Sequence, residues 1–162
     1  MRTLTGWITT KLMVLLLLSV PAVPLVDSLT VTLVQAASPA EDAAAIFQTT
    51  GITGGLVVHL GCGQGELTAA LQPNSRYQVH GLDRDMAKVK LARQRIRAQG
   101  KYGEVAVDQL RGKELPYTDN LVNLVIVEES QEITADEIMR VLVPLGVAYV
   151  KEGDQWIKKV KP

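Results

Sequence analysis

The sequence predicts an α/β domain on a doubly wound, mostly parallel sheet, and three observations predict it. An unbroken apolar run, Leu56-Val57-Val58-His59-Leu60, enters a turn containing Gly61, Gly63 and Gly65, and the helix-forming segment Glu66 to Gln72 follows at once. Further apolar runs alternate with helix-forming stretches as far as Val150, the order expected of successive βα units. The first run lacks the polar alternation of a half-exposed strand, so it suits a strand covered on both faces.

Composition narrows the function classes. The chain has 162 residues, enough for one domain with a usable core. Basic and acidic residues balance at 17 each, and without residues 1–36 they stand at 15 against 16. No global field favours nucleic acid or an anionic membrane. Cys62 is the only cysteine, which rules out a disulfide framework or a cysteine-built zinc site within the chain. The two histidines, His59 and His80, both fall in predicted strands, which argues against a metal site.

Residues 1–36 read as an export signal. Arg2 and Lys11 charge the front, Leu12 to Val26 is apolar, and Val34-Gln35-Ala36 offers small residues at a cleavage position. Pro21, Pro24 and Asp27 interrupt the apolar stretch, which falls short of the ~20 residues of a membrane span. A cleaved signal and a retained N-terminal anchor both send the following domain out of the cytoplasm, to a periplasmic or membrane-anchored location. Membrane contact is expected only through this segment.

Residues 37–53 form an N-terminal helix and linker. Ser38-Pro39-Ala40-Glu41 is a capping box with proline at the first helical position, Ala43 to Phe47 continues the helix, and Thr49, Thr50 and Gly51 end it. Residues 54–152 make the main domain. After the first strand, the glycines let the backbone bring N–H groups close to a ligand, and the helix behind them points its positive end the same way. Pro73-Asn74-Ser75 turns the chain into a strand, Tyr77 to Leu82, ending in Asp83. A carboxylate at that position of a βαβ unit can accept hydrogen bonds from ribose hydroxyls, while Asp85 suits the cap of the helix Met86 to Ala98.

That helix and its flanks carry seven cations from Arg84 to Lys101. No aromatic residues interleave to stack on bases, so a solvated face is expected rather than a nucleic-acid site. Gly103 to Val107 is the third strand, ending at Asp108-Gln109; Leu115-Pro116-Tyr117-Thr118-Asp119-Asn120 is a loop before the strand Leu121 to Val127. Glu128, Glu129 and Glu132 follow it. Thr134 to Val141 reads as a helix, Pro144-Leu145-Gly146 as its stop, and Val147 to Val150 as the fifth strand. Residues 153–162 are left open as an incomplete sixth strand or a linker.

The glycine spacing, GxGxG with Glu66 where a dinucleotide fingerprint needs a small residue, argues against a nicotinamide-binding oxidoreductase. Together with Asp83, Asp108-Gln109 and the Leu-Pro-Tyr-x-Asp-Asn loop, it resembles the ordered motifs of class I S-adenosylmethionine-dependent methyltransferases. The resemblance covers roughly residues 54–150 and implies a Rossmann-like sheet with S-adenosylmethionine as cofactor. It implies that Gly61, Cys62, Gly63 and Gly65 cradle the methionine portion, with Cys62 contributing backbone. Asp83 then serves the ribose, Asp108 with Gln109 the adenine, Arg84 is a further cofactor-binding candidate, and Glu128 lines the cofactor or meets the acceptor. The acceptor and any catalytic base stay unassigned.

Three positions depart from the family pattern: His59 stands where it has an acidic residue that positions the methionine end, Asn123 where it has aspartate, and Leu145 where it has glycine. The resemblance also implies a C-terminal antiparallel hairpin, for which only Gln155 to Pro162 remains, leaving the fifth strand as an apolar edge. A truncated frame or a domain followed by more protein would explain this; the layout suits an exported chain joined to a β-propeller with quinoprotein-type repeats. Two functions follow: a methyltransferase domain acting on an unknown acceptor, or a catalytically inactive module of the same fold serving binding or structure.

Overall fold

The computed structural model describes residues 38–162, so the expected signal or anchor at 1–36 lies outside the described residues. Among these, no helix is long and apolar enough to cross a membrane.

Helix α1, Pro39–Thr50, starts where its capping box requires. Ser38 Oγ accepts the Glu41 N–H at 3.3 Å, and the Glu41 carboxylate accepts the Ser38 N–H at 2.7 Å, so two N-terminal donors are satisfied reciprocally. Strand β1, Gly55–Leu60, follows, then α2, Glu66–Ala70, and β2, Tyr77–Asp83. Next come α3, Met86–Ala98, β3, Val105–Gln109, and β4, Val122–Val127. The chain closes with α4, Ala135–Val141, β5, Leu142–Glu152, and β6, Gln155–Val160. Helix α2 stops two residues before the expected Gln72, and β3 is displaced two residues along the chain from the expected start.

The six strands lie in the order β3-β2-β1-β4-β5-β6. All neighbouring pairs are parallel except β5 with β6. Because β1 and β4 are buried on both sides, alternate residues serve two cores. Val57, Leu124 and Ile126 meet Ile46 of α1 and Val89, Ala92 and Ile96 of α3 on one face. Val58, Val125 and Val127 meet Ile138 and Val141 of α4 on the other. This is the expected doubly wound sheet. The chain order reverses beside β1, and such a switch point opens a crevice at the carboxyl ends of the strands.

Several of the cations around α3 meet backbone carbonyls and neighbouring side chains. Lys101 Nζ donates to the Ala69 and Gln72 carbonyls at 2.8 and 3.0 Å, Arg95 pairs with Glu66 at 2.9 Å, and Arg97 lies over the Tyr102 ring. Their first service is to fasten α3 to α2 and to the edge of the sheet.

Two expectations about the C-terminal part are corrected. The expected stop at Pro144-Leu145-Gly146 is instead the irregular start of β5, where the β4 pairing changes register between Val122 and Leu124. Proline is tolerated there because an irregular position needs no ladder donor. The sixth strand forms: β6 pairs with β5 from Val147 opposite Val160 to Glu152 opposite Gln155. The apolar flank of β5 is therefore covered, and the outer edge carries Lys158 and Lys159 instead, which discourages further pairing.

Of the three departures, Asn123 has a structural role: its Oδ1 accepts the Leu56 N–H at 2.9 Å. Leu145 keeps the left-handed backbone that glycine would take freely, with φ 63° and 74% exposure. Such a residue stores strain of order 1 kcal/mol or more. Leu145→Asn, which tolerates this backbone and removes an exposed apolar side chain, should raise stability by about 1 kcal/mol in urea unfolding.

Candidate cofactor site

The site grows from the end of β1. Gly61 N–H donates to the Leu82 carbonyl at 2.9 Å, and Gly65 N–H to that of Cys62 at 2.9 Å. A Cβ at Gly61 would stand 2.9 Å from Glu129, and one at Gly65 would stand 2.8 Å from Ala92 Cβ. Both glycines therefore admit close neighbours. Gly63, at φ 52°, differs: a Cβ there would meet nothing within 4 Å. The space where a side chain would stand is open, and Gly63 lines a cavity.

That cavity, about 360 Å³, is lined by Pro39 and Asp42 of α1, His59, Cys62, Gly63, Gln64, Glu66 and Leu67, and Glu128 beyond β4. Glu128 N–H donates to the Leu60 carbonyl at 3.1 Å, which seats the β4 end against β1. His59 is fully buried. Its Nδ1 lies 2.9 Å from Thr68 Oγ1, and its Nε2 is the one buried side-chain polar atom among the described residues with no hydrogen-bond partner. Thr68 has no other hydrogen-bond partner, so its hydroxyl donating to Nδ1 would put the ring proton on Nε2, toward the cavity. Glu128 Oε2 is 3.8 Å from Nε2, too far for a direct hydrogen bond. The imidazole nonetheless holds the Glu128 carboxyl below the usual carboxylate range, against a desolvation that raises it. A donor-acceptor pair separated by this gap suits a polar ligand group.

Asp83 is 1% exposed. Its Oδ2 accepts the Gly63 N–H at 3.1 Å and its Oδ1 the Asp85 N–H at 2.9 Å. The carboxylate thus locks the glycine loop to the turn into α3, which Asp85 caps through the Ala87 N–H at 2.8 Å. Arg84 does not enter the cavity. Its guanidinium donates to the Gln131 carbonyl at 2.7 and 2.8 Å and to that of Gly112 at 2.7 Å, tying together the loops after β3 and β4. Gln109 lies opposite Asp83 in register and donates to the Arg84 carbonyl at 3.1 Å.

Asp108 is turned elsewhere. It pairs with Arg93, which reaches round the edge strand, and with His80 Nε2 at 3.1 Å; His80 Nδ1 in turn meets Tyr117 Oη at 2.7 Å. Burial, with Asp108 nearby, pushes the Tyr117 hydroxyl far above its ordinary value.

The structure therefore brings His59, Gly61, Cys62, Gly63, Gly65, Asp83 and Glu128 together at the ends of β1, β2 and β4. Arg84 and Gln109 lie one step outward, and Asp108 belongs to a network at the sheet edge. Sequence reasoning missed Asp42 and Thr68. Asp42 reads as an ordinary first-turn acid of α1, and only packing of that helix over α2 carries it to the cavity.

S-adenosylmethionine fits the methionine end of this arrangement. The lining has three carboxylates, Asp42, Glu66 and Glu128, and no lysine or arginine, which suits a ligand bearing a sulfonium and an ammonium. Asp83 lies outside this lining; each of its oxygens accepts one hydrogen bond, which leaves further lone pairs on the carboxylate.

A doubly wound sheet with a glycine loop and an acidic β2 terminus at its switch point defines a Rossmann-like cofactor-binding domain. Comparison with known proteins narrows this. The family described as methyltransferase domain matches residues 57–146. A demethylmenaquinone methyltransferase of Lactobacillus johnsonii is 34% identical over 110 residues, covering 63% of this chain and 45% of that protein. A putative S-adenosylmethionine-dependent methyltransferase from Methanococcus maripaludis superposes with a TM-score of 0.61 at 26% identity, over 70% of this chain and 54% of that one. The fold is shared with geranyl diphosphate C-methyltransferase of Streptomyces coelicolor, solved with S-adenosylhomocysteine, at TM-score 0.60 and 19% identity, over 67% and 44% of the two chains. The chain belongs to the class I S-adenosylmethionine-dependent methyltransferase domain family, and S-adenosylmethionine is the cofactor of that class. It spans about half the length of these relatives.

Cys62, between the glycines, is 4% exposed. Burial, reinforced by the Asp83 carboxylate, pushes its thiol up to about 12. At pH 8 only about one thiol in ten thousand is then ionised, so Cys62 should resist iodoacetamide in the native chain and react fully in guanidinium, as mass spectrometry would record.

Proposed function

We propose that this domain transfers a methyl group from S-adenosylmethionine to a small acceptor. The observation that carries the reading is the open space beside Gly63 on an acidic cavity that His59, with its unpartnered Nε2, and Glu128 also line. Such a group would sit with its methionine portion on the loop of Gly61, Cys62, Gly63 and Gly65. Its ammonium would face Glu128, and its carboxylate would face His59 Nε2. Asp83, held by the Gly63 and Asp85 N–H groups, would take the ribose, with Arg84 and Gln109 one step outward. An adenine role for Asp108 would require sharing its carboxylate with Arg93 and His80. The cofactor, when bound, supplies a methyl group already activated on a sulfonium. The chain then has to hold the nucleophile in line, exclude water and accept a proton, and orientation alone supplies much of such an acceleration. The sequence of residues 1–36 supports an exported location for this activity.

The second reading, a non-catalytic module of the same fold, is favoured by one observation. Arg84 and Gln131 are tied across the end of β2 beside the buried Asp83.

Calorimetric titration of the full chain with S-adenosylmethionine and S-adenosylhomocysteine separates the two. Saturable binding of both is expected. A Cβ added at Gly63, which lines the cavity, meets no protein atom within 4 Å, so Gly63→Val should weaken binding at least about tenfold while costing roughly 1–3 kcal/mol in stability from its backbone strain. A folded chain that binds neither compound would leave only the structural module.

A further inference from the structure

A second cavity, about 310 Å³, adjoins the first, and the two share Asp42, Leu67 and Glu128. Its most distinctive wall comes from the β5–β6 hairpin. Lys151 stands opposite Trp156 and Tyr149 opposite Lys158, so these four side chains project from one face of the pair. The face is the one α1 covers: Lys158 Nζ donates to the Thr49 carbonyl at 3.0 Å, and both aromatic rings pack on the core that contains Ala43 and Ile46. Tyr149 and Trp156 are stacked, with centroids 4.9 Å apart and planes 5° apart. The stacked pair lines one side of the cavity as a rigid aromatic wall, and Ala45 and Ile46 add apolar lining. Three ionic groups complete it: Asp42, Glu128 and Lys151.

We propose that this second cavity is the acceptor site and that it takes a small planar hydroxyaromatic molecule carrying an anionic or carbonyl oxygen. The ring lies against the Tyr149–Trp156 wall, the hydroxyl donates to Glu128, and the second oxygen meets Lys151 Nζ. The inference rests on the methyl-transfer reading above. Glu128 lines both cavities, so a hydroxyl held there stands at their junction, where a nucleophile must be presented to the cofactor. Ionised, Glu128 can only accept hydrogen bonds and so selects a donor, whereas Lys151 can only donate and so selects an acceptor oxygen. Flat rings gain from an aromatic wall what saturated rings do not. The volume suits one or two rings, at the lower end of ordinary small-molecule sites of about 300–1,000 Å³.

The test titrates the full chain calorimetrically with 4-hydroxybenzoate, benzoate and cyclohexanecarboxylate, with S-adenosylhomocysteine in parallel. 4-Hydroxybenzoate should bind saturably; benzoate, lacking the donor, and cyclohexanecarboxylate, lacking the flat face, should each bind at least about fivefold more weakly. Trp156→Leu should weaken 4-hydroxybenzoate at least about tenfold and leave S-adenosylhomocysteine within about twofold. Trp156 packs on the core, so Lys151→Met, at an exposed position, provides a second variant, which should weaken 4-hydroxybenzoate but not phenol. S-adenosylhomocysteine binding without saturable 4-hydroxybenzoate binding, or 4-hydroxybenzoate binding that neither substitution changes, overturns the acceptor assignment and leaves methyl transfer standing. A folded chain that does not bind S-adenosylhomocysteine overturns both.

Discussion

The carboxyl end of the sheet depends on one buried carboxylate. Asp83 is all but excluded from water, and an ionised group so placed is costly unless its lone pairs are used. It meets that condition by accepting N–H groups from two segments at once, Gly63 in the glycine loop and Asp85 at the start of α3. These charge-assisted bonds are stronger than neutral ones, so they fix the loop that faces the cavity and the helix that packs behind it. Removing the carboxylate would loosen both, and the conformation of Gly63 with them.

A second layer of fastening surrounds this one. Arg84, next in the chain, spends its guanidinium on carbonyls of the loops after β3 and β4. Arg140 does the same below the sheet, joining Glu137, Asp119 and the Leu115 and Tyr117 carbonyls. The Arg140 contact, with a backbone N–H from Leu115, holds the Glu137 carboxyl below its usual range despite burial. Connections that carry no regular structure are thus held by fork-shaped donors on backbone oxygens, a task to which arginine is suited. His59 stands apart, since one of its nitrogens is satisfied by Thr68 and the other has no partner among the described residues.

Particular elements show why some of this was readable in advance. The α1 capping box, the Asp85 cap and the bounds of α3 are set by residues within one turn of each other, so local chemistry suffices. The β1 run and its glycine turn were legible because burial on both faces removes polar alternation. The start of β5 was not legible. Pro144 and Gly146 read locally as a stop, but pairing with β4 on one side and β6 on the other carries a strand through them. β6 was equally open, because a short strand rich in lysine forms only when an apolar neighbour offers its edge.

The same division runs through the site. By itself the sequence determined the glycine loop, the acid at the end of β2 and the order of strands and helices, because each rests on contacts between residues close along the chain or on a repeated apolar pattern. Only the tertiary structure decided which of these groups meet. It carried Asp42 and Thr68 to the cavity, and it brought the Tyr149–Trp156 wall beside Glu128. It also turned Asp108 to Arg93 and His80 at the sheet edge. Side-chain partners across a sheet are chosen by register and by the face a strand presents, and neither is written in the neighbourhood of a single residue.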